Sequence, residues 1–123
     1  MPQTAVVLFR EDDGSIPLLD WLDELPDKAK DKCVARLRRL ADLGHELRRP
    51  EADFLHNGIY ELRVGLVGIN YRMLYFFHGN RLAIVAHGLL KERRVPPVEI
   101  DRAINRMRRY MANPAKHTAE MPI

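Results

Sequence analysis

The chain has 123 residues, 46% of them hydrophobic and 30% charged, with a formal net charge of +3. That length suits one domain with its own core, and the composition excludes a disordered or membrane-embedded chain. A single cysteine, Cys33, excludes an internal disulfide and a cysteine-based zinc knuckle.

Ala5-Val6-Val7-Leu8-Phe9 is an apolar run of strand formers closed by the turn Glu11-Asp12-Asp13-Gly14, and it predicts a first strand. Ser15 reads as the N-cap of a short helix, with Pro17 in its first turn. Leu18, Trp21, Leu22 and Leu25 form its apolar face, and Pro26 ends it. Asp27 then caps a longer helix with Ala29, Cys33, Val34, Leu37, Leu40 and Ala41 inward, closed at Gly44 in a left-handed conformation. So short a link makes the two helices a hairpin.

Residues 45–57 read as irregular. Strands follow at 59–64, 69–77 and 82–90, with turns at Gly65-Leu66-Val67-Gly68 and His78-Gly79-Asn80-Arg81, which together predict a three-stranded antiparallel meander. Pro96-Pro97 opens a last helix with Ile100, Ala103, Ile104, Met107 and Met111 on its buried side. The expectation is a single α+β domain over residues 1–112, with 113–123 as a loose tail.

Charge is unevenly placed. Residues 1–61 hold 9 Lys and Arg against 13 Asp and Glu, whereas residues 62–123 hold 11 against 4. A basic half suits a polyanion or an acidic protein partner. If Val64 faces Ile69 and Phe77 faces Leu82, alternation sets Tyr60, Leu62, Val64, Tyr71, Met73, Tyr75, Phe77, Leu82, Ile84 and Ala86 on one face, to be covered by helices. The opposite face carries Glu61 against Arg72, Arg63 against Asn70, then His87 against Arg72, and Lys91 beyond, with Ile59, Leu74, Phe76 and Val85 at its other end. Guanidinium groups match phosphate oxygens in pairs, and a histidine can move a proton near neutral pH. The plainer alternative is a Glu61–Arg72 ion pair with Arg63 a solvated edge charge.

Lys28, Lys32, Arg36 and Arg39 lie at helical spacing along the second helix, either a phosphate-tracking stripe or a solvated face. Arg102, Arg106 and Arg109 form a similar stripe on the last helix. No phosphate-cradling glycine loop, serine-hydrolase elbow or histidine metal motif is present, so neither a metal nor another cofactor is expected. With no basic-then-apolar leader and no apolar stretch of spanning length, the expected location is the cytoplasm, away from membranes.

The ordered set Asp23-Glu24-Leu25-Pro26, Gly58-Ile59-Tyr60-Glu61-Leu62-Arg63, Tyr71-Arg72-Met73-Leu74-Tyr75-Phe76-Phe77 and His87-Gly88-Leu89-Leu90-Lys91, followed by Pro96 and Pro97, resembles the HigB-like, phage-derived branch of the RelE/ParE toxin superfamily. The resemblance covers about residues 4–112. It implies a RelE-like domain and the toxin of a type II toxin–antitoxin pair. RelE and HigB members cut messenger RNA on the ribosome without a metal, on a basic sheet face. The resemblance points to Arg63, Arg72, His87 and Lys91 as catalytic, with His87 the candidate for proton transfer. Arg93, Arg94, Lys32, Arg36 and Arg39 become RNA contacts. Its expected partners are the ribosome, mRNA and a cognate antitoxin, often a helix-turn-helix DNA-binding protein. Glu92 stands where the branch often has a second lysine. ParE-like members of the same superfamily block DNA gyrase instead, and a non-catalytic antitoxin-binding module is a further alternative.

Overall fold

A mixed six-stranded sheet, in the order β2-β3-β4-β5-β1-β6, organises the chain. The computed structural model describes residues 4–90 and 94–122. β1 (Ala5–Phe9) is followed by α1 (Pro17–Asp23), α2 (Asp27–Leu43) and β2 (Ala52–His56). β3 (Ile59–Leu66), β4 (Ile69–His78) and β5 (Leu82–Leu90) form the antiparallel meander. α3 (Pro97–Ala112), α4 (Pro114–His117) and β6 (Thr118–Glu120) complete the domain.

The sheet is wider than the expected meander. β2 pairs antiparallel with β3 inside the stretch read as irregular, while β1 lies parallel to β5 and pairs on its other side with β6. The β1 run is apolar at consecutive positions because it is covered on both faces: Val6 and Leu8 join the α1–α2 core, and Phe9 joins the core under α3. The segment expected to be a loose tail instead returns to β1. Arg10 and His117 exchange hydrogen bonds: the Arg10 amide donates to the His117 carbonyl at 2.9 Å, and His117 Nδ1 donates to the Arg10 carbonyl at 2.8 Å. The His117 ring stacks on Phe9 at 5.0 Å.

Prolines punctuate the helices. Pro26 occupies the N-cap of α2 with extended backbone, so Asp27 is the first helical residue and not the cap. At α1 the N-cap is Ile16, and Ser15 instead donates its backbone N–H to the Asp13 carboxylate at 2.9 Å within the preceding turn. Pro97 opens α3, where its missing N–H costs nothing. Asn113, held extended before Pro114, ends α3 and accepts the Lys116 amide to cap α4. Gly44 has φ +54°, as its place after α2 requires, and a Cβ there would lie 2.1 Å from Thr4 Oγ1. On α3, Tyr110 is buried and Met111 is 42% exposed, reversing the expectation for Met111.

Strand register differs from the expectation by two residues at the first turn. Val64 faces Tyr71, and the turn shrinks to Val67-Gly68, with φ +50° and +76°. A two-residue turn of this kind follows strand twist and extends the ladder through Leu66↔Ile69. Glu61 is therefore opposite Leu74, and Arg63 opposite Arg72. A shift of two keeps every side chain on its face. β5 needs a larger correction. A bulge shifts the register between Tyr75↔Val85 and Leu74↔His87. Before the bulge, His78 and not Phe77 faces Leu82, a shift of one residue, so Leu82, Ile84 and Ala86 pack towards α3 and Val85 packs towards α1 and α2. His87 reaches the face of Arg72 because of that extra residue, and it sits opposite Leu74, with Leu89 opposite Arg72.

Candidate functional site

β3 and β4 place Glu61, Arg63 and Arg72 on the sheet face that α3 covers only at its far end. Glu61 is 3% exposed and its carboxylate is shared. Oε2 accepts from Arg63 Nη2 at 3.0 Å and Nε at 3.2 Å, and Oε1 accepts from Arg72 Nη1. Asp53 on β2 extends the row, accepting from Arg63 at 3.1 Å and from Arg49 at 3.0 Å. The first-ranked influence on Asp53, the Arg49 hydrogen bond, outweighs partial burial and holds its carboxyl below the ordinary range. Carboxylates and guanidiniums thus alternate from strand to strand, which removes the repulsion expected of clustered cations. Arg72 is buried, whereas the Arg63 side chain keeps 33% exposure.

His87 lies on the same face, diagonal to Arg72 and beneath α3. Its Nε2–H donates to Glu99 Oε1 at 2.9 Å, a tautomer assigned from the carboxylate partner. Nδ1 is buried and carries no hydrogen bond among the described residues. Arg102 holds Glu99 from the solvent side at 3.0 and 3.2 Å. Burial is the largest influence on the imidazole, and the nearby Arg106 charge adds to it. Together they outweigh Glu99 and bring the His87 pKa down to about 4, so the ring is neutral at pH 7.

Arg106 and Arg109 of α3 are tied back to the β1 end of the chain. Arg106 and Arg109 donate to the two oxygens of Glu11, and both guanidiniums lie over the Phe9 ring, at 5.9 and 5.3 Å from its centroid. Burial pushes the Glu11 carboxyl up, but the Arg109 and Arg106 hydrogen bonds together leave it below its ordinary value. Three residues of the stripe on α2 are likewise engaged with their own fold, and Lys28 is exposed. Arg39 makes a two-point contact with Glu51, Arg36 bonds the Arg63 carbonyl, and Lys32 reaches the Gly65 carbonyl at 3.4 Å. Arg94 is exposed before α3, and Lys91 and Arg93 lie outside the described residues.

The pairing roles of four acids were absent from the sequence reading. Asp53 and Glu51 fell in the stretch taken for irregular chain, Glu11 was read only as part of a turn, and Glu99 comes from a helix far in sequence from the arginine row. A first-turn acid on α3 was the one local sign of Glu99. Cys33 is buried, and desolvation lifts its thiol to about 11, which makes it inert packing. Among the described residues no group of three or more His, Cys, Asp or Glu side chains could hold a metal, and no helix is long and apolar enough to cross a membrane.

Among comparisons with known proteins, the model of a family described as phage-derived protein Gp49-like (DUF891) matches residues 20–108. No curated protein matches the chain.

Proposed function

The chain belongs to the phage-derived Gp49-like family, and from that premise we propose that it is the toxin of a type II toxin–antitoxin pair, of the HigB-like branch of the RelE/ParE superfamily, and that it cuts messenger RNA on the ribosome. The observation that carries this reading is the row Arg63–Glu61–Arg72. Two guanidiniums are fixed by one buried carboxylate on one sheet face, Arg63 partly exposed, and the basic segment 91–94 follows β5 in the sequence.

In this reading the RNA 2′-oxygen attacks the adjacent phosphorus and the bond from phosphorus to the 5′-oxygen breaks. A 2′,3′-cyclic phosphate and a 5′-hydroxyl result. Arg63, the exposed member, contacts the non-bridging oxygens as charge builds on them, and Lys91 is the further cation that the resemblance assigns to the reaction. Arg72 and Glu61 are positioning residues, holding Arg63 at a fixed height above the sheet. His87 is neutral and has a free lone pair on Nδ1, which makes it the candidate acceptor of the 2′-hydroxyl proton. It reaches substrate when the Glu99–Arg102 clasp opens. The 5′-oxygen takes its proton from water.

One observation favours a second reading. Both arginines are already paired with carboxylates and His87 is covered by α3, which suits a toxin that binds its target, as a gyrase blocker does, more than one that does chemistry. Inducible expression in a bacterium, with primer extension across abundant transcripts, separates the two. The mRNA-cutting reading expects growth arrest, new 5′ ends inside translated frames, and loss of those ends in Arg63→Ala. Arrest with intact transcripts and inhibited supercoiling would select the gyrase reading. Rescue by a neighbouring antitoxin gene is expected in either case.

A further inference from the structure

At the free edge of the sheet, on the opposite face from the arginine row, β2 and β3 carry a ladder of aromatic rings that α2 leaves uncovered. Phe54 meets Tyr60 edge-on at 5.0 Å, Tyr60 stacks on Tyr75 at 5.4 Å, and His45 stacks on Phe77 at 3.6 Å. Tyr75 is fully buried, so the outer rings rest on a fixed base, whereas Phe54 is 51% exposed. A cavity of about 530 Å³ opens over this shelf, bounded by His45, Arg48, Arg49, Asp53, Phe54 and Tyr60. That volume falls in the range of small-molecule sites.

The charges around the cavity are arranged for an anion. Arg48 makes no ion pair among the described residues, and Arg49 sits beside it. Asp53 is the carboxylate of the lining, and Arg49 and Arg63 both hold it, which leaves the rim net positive. An exposed aromatic ring on a fixed aromatic base, next to unneutralised guanidinium charge, matches a ring that carries a phosphate.

We propose that this shelf binds a nucleotide unit, its base stacked on Phe54 with the Tyr60 ring at the base's edge, and its phosphate held by Arg48 beside Arg49. The site is distinct from the arginine row and stands apart from whether the chain cuts RNA. Asp53 links the two, since its one oxygen Oδ2 accepts from both Arg49, which borders the cavity, and Arg63 of the row. A single strand that crosses β2 can therefore place a base on the shelf and a neighbouring phosphate near Arg63.

The probe is a fluorescein-labelled, fully 2′-O-methylated oligoadenylate of ten nucleotides, which cannot be cut by 2′-hydroxyl attack. Its binding to the full chain is followed by anisotropy, with adenosine 5′-monophosphate titrated separately by NMR. Saturable binding of the oligonucleotide is expected, weakened roughly tenfold in Phe54→Ala. Arg48→Ala is expected to weaken it as well and to lower its salt dependence by about one ion. Phe54 and Arg48 are both exposed, so both variants keep the fold. Shifts of the Phe54 and Tyr60 ring signals with the mononucleotide would assign the site to a free nucleotide, and shifts with the oligonucleotide alone would assign it to a strand. Absence of saturable binding with either probe overturns the proposal. So does a Phe54→Ala chain that binds like the parent, because binding would then be charge without stacking.

Discussion

Glu61→Gln removes one charge from the arginine row and changes little else. The Glu61 side chain is 4% exposed and faces Arg63 at 3.0 Å on one oxygen and Arg72 on the other. Glutamine fills the same volume, but it turns an NH2 group towards one of two guanidiniums, donor against donor. Loss of one partner from a buried ion pair costs about 3–5 kcal/mol. Arg63 is one-third exposed and keeps Asp53 at 3.1 Å, so its share is that of a surface pair, about 1 kcal/mol or less. Arg72 has a side chain only 10% exposed and bears most of the loss, softened by its further contacts. The expected destabilisation is therefore near the lower bound, about 3 kcal/mol. In urea denaturation followed by circular dichroism, an m-value of about 1.5 kcal/mol/M converts this into a midpoint lower by about 2 M. The paired change Glu61→Leu with Arg72→Met should recover most of it, since apolar replacement of a whole buried pair is close to neutral. A loss below about 1 kcal/mol in Glu61→Gln would refute the reasoning and make the row a solvated surface feature.

Other expectations concern the covering elements. His87 has a pKa of about 4 when folded and an ordinary value of 6.5, so the unfolded chain binds the extra proton between those limits. Stability should fall by about 3 kcal/mol as pH drops from 6.5 to 4, and His87→Gln should flatten that part of a pH series of urea midpoints. Glu99, Arg102 and Arg106 are the charged groups that face the imidazole. Gly88→Ala would bring a Cβ to 2.2 Å from Trp21 Cε3, against the flat of the ring, and thermal denaturation should show a loss of about 1–3 kcal/mol that Trp21→Leu partly restores. Deletion of residues 113–123 removes β6 and the His117–Phe9 stack, and it should cost about 2 kcal/mol and speed amide exchange in β1.

The faces of β3 and β4 were legible in the sequence because side-chain alternation survives a register error of two residues. Glu61, Arg63 and Arg72 stayed together although their opposite neighbours changed. Turn length was less legible. Gly65 and Gly68 suggested a four-residue turn, but Val67 takes the positive φ that lets Gly65 and Leu66 remain in the strand. The β5 bulge could not be read from Leu82–Leu90, whose residues are apolar on both faces and give alternation nothing to mark. His87 was placed on the correct face through two departures that cancel, the altered register and the bulge. β2 was missed because an edge strand of five residues with Asp53 and His56 in it shows little apolar pattern. The basic side of the chain was visible as a count, but its neutralisation was not. Glu11, Glu51, Asp53 and Glu99 meet their arginines only after folding, so net charge overstated the free cation available to a polyanion.

The most direct test of the central claim adds the purified chain to ribosomes programmed with a defined messenger RNA and maps the ends produced. Cleavage within the codon at the A site is expected, with a 2′,3′-cyclic phosphate on the upstream fragment and a rate about a hundredfold lower in Arg63→Ala. Messenger RNA left intact by stoichiometric protein, or cut equally well by Arg63→Ala, would contradict the account.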